Sequence, residues 1–397
     1  MFDARIDGLM KSRYEWRGWS GLLRSPHISC QPLADIISSK AELHAALPSQ
    51  DVSRSSDVLT LGNIADPRLH RLNEFFSERG YTAAQLQFAR LRNVIVDTSL
   101  AICMQEDGTL VNETTNVARV IDPTLRSATF LKRKPYKAHP ITTPVLHCFH
   151  RASAAYGHFV FDCLAPIAFF RREIVEGRLK VLLPAFFPKW GAEHLAAIGI
   201  DPDRHILRMK GKTAICSDLL LYTGIDTSNS VHPHPDICAE MRRVVGHGTS
   251  STKRRIYLSR RNQTNYSDRV IDNEPDVIEA LQNLGVVCVE PGNLSFLDQV
   301  GVFRGADIIV GAHGSTFGNI AFSRPGTTLV DLMPADWIGY WDSERGAERW
   351  ALNLTTLFRL NYRVHLTPSR TEPRGRHRPR IVSTVDIPRL VRDLKSI

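Results

Sequence analysis

Residues Gly311 to Thr316 read Gly-Ala-His-Gly-Ser-Thr, directly after the apolar stretch "ADIIV". That stretch has the make-up of a buried strand, and "STFGNIAF" after the corner reads as a short helix. In an open parallel sheet such a corner lies at the carboxyl edge, where ligands bind. The free N–H groups of a helix start favour an anion there, phosphate above all. Gly314 lets the backbone approach a ligand without a Cβ in the way, and His313 adds a donor. Ser315 and Thr316 can cap the helix or bond phosphate oxygens. The plainer reading of the same residues is a tight strand–helix turn with Ser315 as its N-cap. A second stretch, "YLSRRNQTNYSDRVIDNE", carries Ser259, Arg260, Arg261, Arg269 and Glu274 just after another predicted strand, and so on the same edge. Forked guanidinium donors match a diphosphate, although one of Arg260 and Arg261 reads equally well as an ordinary surface charge.

The elements that must position these groups follow an α/β pattern. From Pro144 the chain alternates: "PVLHCFH" as strand, "AYGHFVFDCLAPIAFFRREIVEG" as a helix from Tyr156 to Gly177 with a kink at Pro166, then "LKVLLPAF", "KWGAEHLAAIGI", "HILRMK" and "DLLLYTG". "DTSNSVHPHPD" and the helix "ICAEMRRVV" lead to a lobe boundary near residue 250. Beyond it lie strand "RRIYLSR", helix "NEPDVIEALQNLG" capped by Gly285, strand "VVCVEPG", helix "LSFLDQVGVFRGA" with a capping-box-like start at Ser295, the corner strand, and "TTLVDLMP". The strands are continuous apolar runs, which predicts a parallel sheet covered on both faces. Residues 1 to about 140 are weakly patterned; "PSQDVSRSSD" reads as a loop and "RNVIVDTSLAIC" as strands. The tail "DIPRLVRDLKSI" reads as an amphipathic helix.

Taken with the Leu-Ser-Phe…Gln-Val helix and the run from Ala306 to Leu332, the arginine stretch resembles the glycosyltransferase 61 family over roughly residues 140–360, most strongly over 255–332. Gly-Ser follows the histidine where Gly-Ala is usual. The resemblance implies a GT-B-like architecture of two facing Rossmann-like lobes with parallel sheets. It places an acceptor-side lobe at 141–250, with residues 1–140 part of it or appended to it. A donor lobe would cover 251–362, and 363–397 would be a basic tail and C-terminal helix. It further implies an inverting transfer of a hexosyl or pentosyl unit from a nucleotide-diphosphate sugar, in polysaccharide biosynthesis of capsular type, with no cofactor and no metal. Residue by residue, Arg260 and Arg269 would hold the diphosphate, which His313, Gly314 and Ser315 would cradle. Glu274 would bond the ribose or fix an arginine, with Gln299 and Asn319 as supports.

Within "AYGHFVFDCLAP", His158 and Asp162 are four apart on a predicted helix and share a face. A first-turn histidine is driven toward its neutral form by the helix dipole, and a carboxylate one turn on would orient it; this pair is the candidate catalytic base. The bland reading is a capping histidine beside a structural aspartate. His147 and His150 flank this segment and could join the acceptor site or form an incidental metal pair; His232 and His234 read as loop residues. "DPD" at Asp201–Asp203 has the spacing of a metal motif but sits where turn chemistry is ordinary.

Composition narrows the class. The 397 residues are 43% hydrophobic and 23% charged, proportions of a globular protein with a sizeable core. The net charge of +9 suggests anionic partners. Part of it is local: Arg363, Arg370, Arg374, Arg376, Arg378 and Arg380 face a single acid, Glu372, in a segment that reads equally well as a solvated loop. No aromatic interleaving supports nucleic-acid binding there. The seven cysteines show no CxxC pair and read as reduced thiols. No apolar run approaches membrane-spanning length. A cytoplasmic location is therefore expected, with peripheral contact at the inner membrane face open through basic patches, and with nucleotide sugar and glycan as partners. A dinucleotide oxidoreductase lacks its Gly-x-Gly-x-x-Gly. A serine hydrolase lacks the Gly-x-Ser-x-Gly elbow. A non-catalytic nucleotide-sugar- or glycan-binding protein remains the rival reading.

Overall fold

The computed structural model describes residues 30–31, 41–62, 66–98, 101–105, 109–115, 139–150, 152–184, 187–209, 213–226, 231–249, 251–252, 254–260, 269–338, 349–374 and 377–397. Its second half is built on a six-stranded sheet in which every pair is parallel. The spatial order is Val287–Val289, Arg255–Leu258, Ile308–Ala312, Thr328–Pro334, Asn361–Thr367 and Leu59–Gly62. Alternate residues of these strands enter different cores. Ile309 and Leu329 join the main apolar cluster, while Ile308, Val310 and Val330 join a smaller one with Val277, Leu281, Leu390 and Leu394. Both faces are covered, as the unbroken apolar runs predict. The helices between strands carry their own stop signals. Ser295 accepts from the Asp298 N–H to start Phe296–Gly305. Gly285, at φ +74°, lets Val286 bond back to the Leu281 carbonyl after helix Glu274–Gln282.

The other sheet has ten strands and is mixed, not purely parallel. Its parallel part is Val145–His147 between Thr213–Tyr222 and Lys180–Pro184, with Ile206–Met209 beyond. The antiparallel part comes from the N-terminal segment. The long strand Leu86–Asp97 pairs with Thr213–Tyr222 on one side, and with Ala41–Leu47 and Ile102–Met104 on the other. An antiparallel flank on a parallel sheet needs no covering crossover helix, so it left no βαβ signal in the sequence. The stretch read as a loop, 48–57, contains strand Gln50–Ser53, which pairs with Gly80–Ala83.

The histidine-bearing helix departs from a simple kinked helix. Tyr156–His158 is α-helical, Phe159–Leu164 is a π-turn in which the Ala165 N–H reaches the Val160 carbonyl, and Ala165–Phe169 resumes the α form. Pro166 has no N–H to give to residue 162 and crowds its carbonyl, so a wider turn ahead of it relieves the conflict. The break itself falls later, at Phe170. The described residues within 363–380 are largely strand. They complete the strand Asn361–Thr367 and form the hairpin Ser369–Arg374 and His377–Ser383. That hairpin pairs in parallel with Arg269–Ile271, and helix Ile387–Lys395 buries Leu390 and Leu394 as its amphipathic pattern predicts. Among the described residues no helix is long and apolar enough to cross a membrane.

Gly301 packs helix Phe296–Gly305 against the boundary segment so closely that a Cβ there would sit 1.8 Å from the Thr249 carbonyl oxygen. In a free helix Gly→Ala gains about 1 kcal/mol. Here overpacking against rigid backbone reverses the sign, and Gly301→Ala should cost about 1–3 kcal/mol. A urea unfolding midpoint at or above that of the wild type would contradict this packing.

Candidate functional site

Strands Arg255–Leu258 and Ile308–Ala312 run side by side with Leu258 opposite Gly311. Their neighbours on the outer sides are Val287–Val289 and Thr328–Pro334, so the crossovers leave in opposite directions from this pair. Such a switch point opens a crevice at the carboxyl ends, and Arg260 and His313 both emerge there. Gly314 is packed tightly: a Cβ on it would meet Arg260 Nη1 at 3.1 Å and Arg269 Nη2 at 3.2 Å. The two guanidiniums thus converge on the glycine at the corner. Arg269 reaches it from the small sheet held by the C-terminal hairpin, with its guanidinium 4.2 Å over the Trp337 ring.

The remaining corner residues are fixed from beneath. His313 is buried, with Nδ1 2.7 Å from Asp331 Oδ2, which also accepts from the Tyr362 hydroxyl at 2.7 Å. Burial and the Asp331 carboxylate push the Tyr362 hydroxyl well above its usual range, so it stays a donor. Glu274 Oε1 accepts from the Tyr257 hydroxyl at 2.9 Å and lies 3.4 Å from the Arg260 backbone N–H. This carboxylate faces inward to the Arg260 backbone. Ser315 does not cap the following turn. Gly314 occupies the cap position, Ser315 begins a 3₁₀ helix, Ser315–Phe322, and neither Ser315 nor Thr316 side chain bonds to a described residue.

A cavity of about 630 Å³ runs from Arg260, Ser315 and Thr316 to Trp190, Glu193 and His194 of helix Lys189–Ala197 in the first half. Its size is that of a pocket for a small organic ligand. Burial lowers His194 to about 4, leaving a neutral ring that stacks on Phe296 with centroids 4.2 Å apart. Its Nδ1–H donates to the Trp190 carbonyl. Tyr156 closes the back. Its hydroxyl lies 2.6 Å from Asn319 Oδ1 and 3.3 Å from Gln299 Oε1, and Asn319 Nδ2 donates to Gln299 at 2.8 Å. Gln299 and Asn319 therefore tie the two halves together beside the cavity.

Two residues beyond Tyr156, His158 Nδ1 lies 2.9 Å from Asp162 Oδ2, as the spacing predicts. The same oxygen takes His150 Nε2 at 2.9 Å. Asp162 is fully buried and His158 is 31% exposed. Burial alone would raise the Asp162 carboxyl, but hydrogen bonds from His150 and His158 outweigh it and hold the group below its usual range. His150 was only a flanking candidate in the sequence, and nothing in spacing joined it to Asp162. Trp337, Asp331, Tyr156 and Tyr362 carried no signal at all, since apolar-looking contexts hid them.

Other candidates fall elsewhere. Asp201 accepts from the backbone N–H groups of Asp203 and Arg204, which is turn chemistry. His234 caps helix Pro235–Val245 and donates to the Pro48 carbonyl. His147 is fully buried and is lowered to about 4 by that burial. Arg261 lies outside the described residues.

Residues 156–330 match the family model for glycosyltransferase 61. The resemblance carried by the arginine stretch and the histidine corner is thus shown over this segment, which includes every candidate from His158 to Asn319. The match implies glycosyltransferase activity, with a donor and an acceptor as substrates. No curated protein matches the chain.

Because the folded-state pKa of Asp162 is depressed, its contribution to stability is present above the ordinary carboxylate value near 4 and is lost as pH falls through the depressed value. Asp162→Asn should destabilise by about 3 kcal/mol at pH 7. Unfolding midpoints should converge as the pH drops below about 4. A gap that persists unchanged at pH 2 would show that the carboxylate charge is not the cause.

Proposed function

We propose that the protein is an inverting glycosyltransferase that moves a sugar from a nucleoside-diphosphate sugar to a hydroxyl of a glycan acceptor, with the two sheets acting as the facing lobes of a GT-B-like enzyme. The convergence of Arg260 and Arg269 on Gly314 carries this reading. Two like charges held together beside the hydroxyls of Ser315 and Thr316, neither bonded to a described residue, suit the oxygens of a diphosphate. In this reading their fixed charge does what a divalent cation would do for a leaving diphosphate, and no metal is required. His313 has Nδ1 committed to Asp331, which leaves Nε2 for the ligand.

The reaction is a single displacement. The acceptor hydroxyl oxygen forms a bond to the anomeric carbon as the bond from that carbon to the diphosphate oxygen breaks, and the electron pair leaves with the diphosphate. His158 takes the hydroxyl proton, and Asp162 stabilises the imidazolium that results. The cavity between Arg260 and Trp190 would hold the donor, with Glu274 setting the Arg260 backbone. A cytoplasmic enzyme of surface-polysaccharide synthesis is the setting that fits the basic charge and the family resemblance.

A panel of nucleoside-diphosphate sugars screened by thermal shift should yield at least one stabilising donor. Arg269→Ala should weaken that donor by roughly 100-fold with the fold intact. Equal affinity in the variant would misplace the diphosphate. His158→Ala should bind the donor normally and lose transfer by at least about 100-fold. Donor binding in the wild type without turnover on any acceptor would favour a binding protein instead.

A further inference from the structure

The His150–Asp162–His158 cluster fixes its own protons. The Ala152 N–H donates to His150 Nδ1 at 3.1 Å, so a lone pair occupies that atom and the neutral ring carries its proton on Nε2. That N–H meets Asp162 Oδ2 at 2.9 Å. An ionised carboxylate only accepts, so the facing atom of His158, Nδ1 at 2.9 Å, must be a donor too. Its Nε2 is then the unprotonated nitrogen, on a ring that is partly exposed. Asp162 Oδ1 is buried with no hydrogen-bond partner among the described residues, so both donors fall on one oxygen. Among the described residues, three groups that interact with the cluster are neutral: burial raises the thiols of Cys148 and Cys238 and lowers His147.

By residue type the cluster would also suit a divalent cation, since its three ligand atoms lie within 4.8 Å of one another. The Ala152 contact argues against it. A metal on His150 Nε2 would move the ring proton to Nδ1, where it would face the Ala152 N–H donor to donor.

We propose that His150 is a positioning residue. Its Nε2–H pins Asp162 Oδ2 and so holds His158 in the Nδ1–H tautomer, with Nε2 free to take the acceptor proton. That last step rests on the transferase reading; the tautomer assignment does not.

The test is nitrogen-15 NMR of the imidazoles in the ligand-free protein, for wild type, His150→Phe and His150→Gln, with UDP binding to check that the donor site is intact. Wild-type His158 should show the Nδ1–H tautomer alone. His150→Phe should show both tautomers, and His150→Gln, whose amide can donate to Asp162, should restore the single one. With a donor that the wild type turns over, transfer should fall about tenfold or more in His150→Phe at unchanged donor KM, and recover in His150→Gln. A single Nδ1–H tautomer in His150→Phe overturns the proposal. So do mixed tautomers in folded His150→Gln, which decides the matter if the Phe variant does not fold. Stoichiometric loss of both imidazole signals on adding Zn²⁺ to the wild type would also overturn it. Tautomer changes as described in a protein that transfers no sugar would leave the positioning role standing and reject the transferase; active transfer with an unmoved tautomer would do the reverse.

Discussion

Two guanidiniums pressed against one glycine are the constraint on which this structure turns. At close range like charges repel by an amount that grows as water is removed, so such an arrangement persists only where the surrounding fold enforces it. Here enforcement comes from two sides. Arg260 leaves the edge of the six-stranded sheet, its backbone N–H held by Glu274. Arg269 starts a short strand that the C-terminal hairpin pins in register, and Trp337 supplies a ring face for its charge. The absence of a side chain at Gly314 is what lets both arrive.

The same logic of support from beneath recurs at the two imidazoles. His313 and His158 each rest one ring nitrogen on a buried carboxylate, and each carboxylate takes a second donor on the same oxygen. In both cases the partner carboxylate is wholly enclosed while the opposite ring nitrogen remains for other work. The fold thus orients two imidazoles through carboxylates that are themselves fully buried.

How much of this the sequence revealed depended on range. The parallel sheet, the succession of strands and helices along the chain from Arg255 to Pro334, and the Ser295 and Gly285 caps were legible because apolar runs and capping residues act locally. The His158–Asp162 contact was legible because helical spacing predicts it, even though the turn between them is π-helical. His150 was not, because a contact across twelve residues and a loop has no period. The antiparallel flank from Leu86–Asp97 and the small sheet that holds Arg269 were hidden for the same reason: both depend on pairings between segments more than one hundred residues apart. Composition misled at 363–380, where charge suggested solvent but the described residues pair in sheets.

The bridge from Tyr156 to Gln299 and Asn319 has a mechanical meaning. Beside it the backbones themselves touch: a Cβ on Gly318 would lie 3.5 Å from Gly157 Cα. Sliding the halves apart at this point would strip both contacts of the Tyr156 hydroxyl, to Gln299 and to Asn319, from enclosed groups at once, each costly to leave unmade. The joint at Tyr156 therefore resists relative displacement of the halves. Because His158 lies two residues on from Tyr156, the same joint also holds the backbone beside that imidazole in place.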